Sequence, residues 1–176
     1  MNTVKKINQS RNVLKQYLQD EWHVDIIQDY STDEIEQLYS TTNNNIQFGN
    51  ASGCNFTLKH KIYEWHNLHV IYYNFPELGK SSTKITKDCA KKILGLYDTI
   101  LAPEDSIILI ILENITDNLE NAITDLFYNG QEFLLDYKKE HEYLKDVNIN
   151  HIRNIHIFKL EHLTKDIRQQ TFVPQH

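Results

Sequence analysis

The residues Gly79-Lys80-Ser81-Ser82 follow a strand-like run, Leu68 to Phe75, and precede a helical pattern, which is where a nucleotide phosphate could be held. A phosphate loop needs a further glycine five residues before its Gly-Lys pair, so that successive backbone N–H groups can wrap the anion. Asn74 stands there instead, and Pro76 removes one donor. Glu113 ends the next strand-like run, where a magnesium-positioning carboxylate would be expected. One reading of the chain is therefore a P-loop-like nucleotide-binding enzyme acting through Lys80 and Ser81; the other is an ordinary strand-to-helix turn. Zinc hydrolysis wants His-Glu-x-x-His on one helix, and His141-Glu142 fails because Lys145 occupies the second histidine position. His60, His66 and His69, like His151, His156 and His162, lack a ligand spacing and read as surface or hydrogen-bonded side chains. A metal nuclease would carry Glu-x-Lys beside an aspartate. Its nearest imitation, Asp136-Tyr137-Lys138, falls in a charged helical segment, and no Gly-x-Ser-x-Gly nucleophile motif occurs. No catalytic residue, metal or cofactor is expected.

Charge narrows the partners. Eighteen Lys and Arg against 24 Asp and Glu give a net charge of −6, whereas tight sequence-independent DNA binding needs a basic surface to neutralise phosphates. A nucleic-acid role would be local or assisted by partners. The longest apolar run, Ile107 to Leu112, is far shorter than the ~20 residues of a membrane-spanning helix, and the two cysteines, Cys54 and Cys89, cannot build a disulfide framework. A globular intracellular protein with reduced thiols is expected.

The elements that would position these groups follow from periodicity. Val4, Ile7, Leu14, Tyr17, Leu18 and Trp22 recur at helical spacing and predict a first amphipathic helix. Ser31-Thr32-Asp33-Glu34 has the form of a capping box ahead of a short second helix. Residues 41–55 read as a loop, and strands are expected around Phe56 to Leu58 and Leu68 to Phe75. A helix is predicted over Lys84 to Tyr97, capped by Ser82 or Thr83. Ser106 to Leu112, continuously apolar, predicts a strand covered on both faces. A helix over Asp117 to Tyr128 would be capped by Thr116 or Asp117, with Glu120 completing a box. Residues 131–150 read as a helical insertion whose Lys138, Lys139, Glu140 and Glu142 form a solvated face. Ile152 to Leu160 predicts another strand and Gln170 to Val173 a last short one. Alternating strands and helices call for parallel pairing in an α/β fold, with α+β as the neighbouring possibility.

Near the C-terminus, Phe158, Leu163, Ile167 and Val173-Pro174-Gln175-His176 fall in the register of a specific family. The segment resembles the end of the N-terminal jaw domain of the fifth subunit of eukaryotic-type DNA-dependent RNA polymerases, where the element is Val-Pro-Lys-His; here Gln175 replaces the lysine. Upstream, Asn114-Ile115-Thr116 is similar to the family's Asn-Ile-Thr turn, although Asp117-Asn118-Leu119 departs from its Pro-Ser-Ala continuation. The first helix, with Arg11, Val13 and Leu14, is also similar.

This resemblance implies a single jaw-like domain over 1–176, a mixed sheet with flanking helices, and a non-catalytic role gripping downstream duplex DNA and meeting regulators. Asn114, Ile115 and Thr116 would contact nucleic acid, and Asp117 would add an opposing anion. Phe172, Val173, Pro174 and His176 would dock onto the largest polymerase subunit, with other polymerase subunits as further partners. The family's C-terminal assembly domain is expected to be absent, since the sequence stops at His176. The Asn-, Ile- and Lys-rich composition suits a large DNA virus of eukaryotes. The expected location is the nucleus, or the virion and viral factory.

Overall fold

The structure, a computed structural model, describes residues 2–40, 50–80, 85 and 88–164. The predicted strand Gln170 to Val173 and the caps Ser82 and Thr83 lie outside the described residues. Helix α1 (Asn2–Leu18) and helix α2 (Thr32–Ser40) precede strand β1 (Phe56–Lys59) and strand β2 (Asn67–Tyr72). Helix α3 (Asp88–Thr99), strand β3 (Ser106–Ile111), helix α4 (Asp117–Asn129), helix α5 (Gln131–Lys139) and strand β4 (Ile155–Lys159) follow. The chain forms one α/β domain around a four-stranded mixed sheet of order β1-β2-β3-β4; β1 runs antiparallel to β2, and β2, β3 and β4 are mutually parallel.

Strand β3 is the spine. All six of its residues are buried, because its alternate side chains enter two different cores. Ile108 and Ile110 join Leu68, Val70, Tyr72 and Phe158 beneath α1 and α2. Ile107, Leu109 and Ile111 pack with Ile71, Ile93 and Leu96 against α3 and α4. Successive right-handed crossovers advancing in one direction put their helices on the same sheet face, and α3 and α4 do share one face. Each of these fully buried aliphatic side chains contributes roughly 1.5–3 kcal/mol by leaving water.

Helix α1 buries Val4, Ile7, Leu14 and Leu18, and also Ser10 and Arg11 on the same stripe. Most of their polar atoms are met internally, Arg11 Nε being the exception. Ser10 Oγ donates to Ile7 O at 2.6 Å and lies 2.8 Å from the Tyr72 hydroxyl. Arg11 donates to Cys54 O at 3.2 Å and Gln28 O at 3.3 Å, with its guanidinium 5.0 Å from the Tyr30 and Phe56 ring centres. The α2 capping box forms as predicted: Glu34 N donates to Ser31 Oγ at 3.2 Å and Ser31 N to Glu34 Oε1 at 3.0 Å.

Several boundaries differ from the periodic reading. Trp22 is not helical: α1 stops at Leu18, and Trp22 bridges to His60. Strand β2 ends at Tyr72 because Asn74 takes a φ of 61°, a left-handed conformation that asparagine tolerates and a strand does not. α3 is described over Asp88–Thr99, and Ile85, inside the predicted helix, is not helical. Thr116 alone caps α4, accepting from Leu119 N at 3.2 Å; Glu120 sits one residue beyond the position a box with Thr116 requires. Only Gln131–Lys139 of the insertion is α-helical, followed by 3-10 turns at Glu142–Leu144 and Ile149–His151. Arg153, with φ 52°, precedes β4 and shortens the predicted strand. Within the loop assigned to 41–55, Ser52–Cys54 forms a 3-10 turn.

Candidate functional site

The carboxyl ends of β2, β3 and β4 bring three junctions to one edge of the sheet, the position where ligand-facing groups of open α/β sheets collect. Asn114 is exposed there, and its Oδ1 accepts from Lys159 Nζ at 2.7 Å. Lys159 also pairs with Glu161 at 3.4 Å. Thr116 is exposed but its hydroxyl oxygen is engaged as the α4 cap, while Ile115 packs against the core beneath α3 and α4. The three predicted residues thus have distinct roles: a polar contact, an anchor and a cap. Asp117 and Glu120 place negative charge in the first turn of α4, where they compete with any phosphate for the helix's unpaired N–H groups. Lys159, itself paired with Glu161, is set here against the carboxylates of Asp117, Glu120 and Glu161, so the edge by itself does not favour a phosphate backbone.

The nucleotide-loop residues diverge. Lys80 is exposed and ion-paired with Glu77 at 3.1 Å. Gly79 takes a φ of 86°, Lys80 and Ile85 are not helical, and α3 is described over Asp88–Thr99. Asn74, at the missing glycine's position, donates through Nδ2 to Glu113 Oε1 at 3.4 Å. Ser81 and the docking residues Phe172, Val173, Pro174 and His176 lie outside the described residues. Asp136, Tyr137 and Lys138 fall in α5, away from any strand.

The opposite edge, at the amino ends of the parallel strands, holds a polar and aromatic cluster that no motif announced. His66 is buried, and its Nε2 lies 2.9 Å from Ser106 Oγ, which also accepts from Asn154 N at 3.1 Å. Burial, reinforced by neighbouring His60, pushes the His66 imidazole down to about 4, outweighing the opposing effect of Asp105. Trp22 meets His60 and His66 edge-on at 5.0 and 4.9 Å, and Trp65 stacks on His66 at 5.3 Å.

Beside this cluster, Thr57 Oγ1, His69 and Asp105 form a row, with 3.0 Å from Oγ1 to Nδ1 and 2.8 Å from Nε2 to Oδ2. The order imitates a nucleophile, base and carboxylate relay. Thr57 is, however, directly opposite His69 in the ladder, so the row is a cross-strand brace tying β1 to the start of β3.

The insertion is fastened to the same edge: Glu104 is buried and accepts from the Tyr137 and Tyr143 hydroxyls. Arg153 donates to Pro103 O at 2.8 Å and packs over Tyr97 at 4.2 Å. Lys139, Glu140 and Glu142 are exposed and Lys138 is half-buried, largely the expected solvated face.

Among the described residues no group of three or more His, Cys, Asp or Glu side chains could hold a metal ion, and no helix is long and apolar enough to cross a membrane. Cys54 and Cys89 are buried free thiols; burial pushes them up to about 12 and about 11. No protein-family model matches the chain, and no curated protein matches it significantly in sequence.

Proposed function

We propose that the chain is a non-catalytic component of a DNA-dependent RNA polymerase, a jaw that contacts downstream duplex DNA and regulators within the complex. The observation that carries this reading is the β3–α4 junction. There the Asn-Ile-Thr turn that resembles the fifth-subunit family sits at the carboxyl edge of the sheet, with Asn114 exposed 2.7 Å from the Lys159 ammonium. The mixed sheet flanked by helices agrees with the architecture the resemblance implies. The partners are the largest polymerase subunit and other subunits, and the location is the nucleus, or the virion and viral factory of a large DNA virus. With a net charge of −6, the free chain should bind duplex DNA no better than the non-specific range of ~10⁻⁴ M.

Affinity purification from the native source, read by mass spectrometry, should recover the largest polymerase subunit, and a crosslinker at position 116 should reach downstream DNA. Recovery without polymerase subunits refutes the reading. The alternative, a nucleotide-binding enzyme using Lys80 and Ser81, predicts micromolar calorimetric binding of magnesium-ATP or magnesium-GTP that disappears in Lys80→Ala. The Lys80–Glu77 pair and the non-helical Ile85 weigh against it.

A further inference from the structure

A large cavity lies at the edge opposite the β3–α4 junction, and what it offers goes beyond the polymerase reading. It is an open groove of about 1110 Å³ crossing the amino halves of β2, β3 and β4 on the α1 face. Leu68, Ile108 and Phe158 lie beneath its base but are only 3%, 2% and 0% exposed, so its accessible apolar surface comes from the walls. One wall is the end of α1 and the turn after it, through Tyr17, Leu18 and Trp22; another is the loop from His60 to His66; the third is the segment from Asp146 to Asn154.

Two features define what would fit. The first loop raises large apolar groups into solvent, with Ile62 75% and Tyr63 46% exposed, and Trp65 stands beside them. The charges of the lining are Asp20, Glu21 and Asp146 against Lys61 alone, and the buried His66 stays neutral at physiological pH. A phosphate backbone is therefore repelled. Aliphatic groups find the exposed Ile62 and Tyr63, and a cation finds both carboxylates and the electron-rich faces of Tyr63 and Trp65.

We infer that this groove docks a basic, aliphatic segment of a partner protein, with an arginine or lysine at the Asp20, Glu21 and Asp146 rim and a neighbouring leucine- or isoleucine-type side chain against the exposed Ile62 and Tyr63. Charge complementarity selects this occupant over nucleic acid. Cations at a partly exposed aromatic and carboxylate rim contribute to specificity and encounter rate more than to raw affinity, so the contact suits an exchangeable regulator.

Both tryptophans of the chain, Trp22 and Trp65, line the groove, so intrinsic fluorescence reads its occupancy directly. The probes are a short blocked peptide alternating leucine and arginine, its leucine and glutamate counterpart, and a short oligothymidylate. The arginine peptide should give a saturable change, and the glutamate peptide should bind at least about tenfold more weakly. The combined variant Asp20→Asn, Glu21→Gln, Asp146→Asn changes only exposed side chains, and circular dichroism checks that it folds. It should weaken the arginine peptide by about tenfold and abolish the preference over glutamate. Equal binding of the two peptides, preference for the oligothymidylate, no saturable change, or a dimer in sedimentation that the triple variant dissolves would each overturn the assignment.

Discussion

Acidification should destabilise this fold before its carboxylates are titrated, and His66 is the reason. The imidazole is 7% exposed, and burial lowers its pKa from 6.5 to about 4. An unfolded chain accepts that proton near 6.5, whereas the native state refuses it until near 4. Between these values the unfolded state binds more protons, so stability is fully present above about 6.5 and is lost as pH falls toward 4. The two values give a loss of about 2 kcal/mol between roughly pH 7.5 and pH 5, and a limit of about 3 kcal/mol below both. Against an ordinary stability of roughly 5–15 kcal/mol this is a large fraction.

Ser106 Oγ, which accepts from Asn154 N, lies 2.9 Å from His66 Nε2 and can serve that nitrogen as donor or acceptor, so the pH effect rests on burial of the ring and not on this contact. Urea denaturation followed by tryptophan emission is the assay, since Trp22 and Trp65 both contact the ring. His66→Gln keeps a polar group facing Ser106 but cannot titrate, and should remove most of the slope between pH 6.5 and 5. His60, lowered by burial against the raising influence of Glu21, accounts for a smaller remainder. An unchanged slope in His66→Gln would refute the reasoning.

Three further perturbations separate local causes. Thr116→Ala removes the α4 cap seen at 3.2 Å and should cost about 1 kcal/mol in urea denaturation, with Thr116→Ser close to wild type. Gly53→Ala would place a methyl 2.2 Å from the Leu38 carbonyl oxygen; a backbone atom cannot swing aside, so a loss of about 1–3 kcal/mol is expected, read as a lowered thermal midpoint. Arg11→Met removes the guanidinium that lies 5.0 Å from the Tyr30 and Phe56 ring centres and strands Cys54 O and Gln28 O, and should cost about 2–3 kcal/mol in the same melt.

The framework was legible wherever one residue type had to satisfy one environment. The unbroken Ile and Leu run of β3 reads as a strand covered on both faces because both faces are covered, by Ile108 and Ile110 on one side and Ile107, Leu109 and Ile111 on the other. Ser31 and Glu34 announce α2 because both halves of their box are local. Trp22 misled because it lies four residues beyond Leu18, which extends a helical period by coincidence into a chain that instead forms an isolated bridge to His60, just past β1. The amino-edge site was hidden for a different reason. Thr57 and His69 are 12 residues apart, His69 and Asp105 36, and His66 and Ser106 40. Only the sheet register makes them neighbours. The one local signal was the density of aromatic and histidine side chains from His60 to His66.

The parallel strands also explain why two unlike surfaces coexist on so acidic a chain. β2, β3 and β4 all point the same way, so every crossover returns from the carboxyl edge to the amino edge, and the two edges collect different residues. The carboxyl edge gathers Asn114, Thr116 and Lys159; the amino edge gathers His66, Trp65 and the carboxylates of the groove rim. β3 connects them through a strand with no exposed residue. Groups this far apart, sharing no partner, contribute independently. Neutralising Asp20, Glu21 and Asp146 should therefore leave a crosslink from position 116 unchanged, and replacing Lys159 should leave peptide docking unchanged. Dependence of either surface on the other would require β3 to shift between its two packed cores, and close packing on both faces opposes any such small displacement.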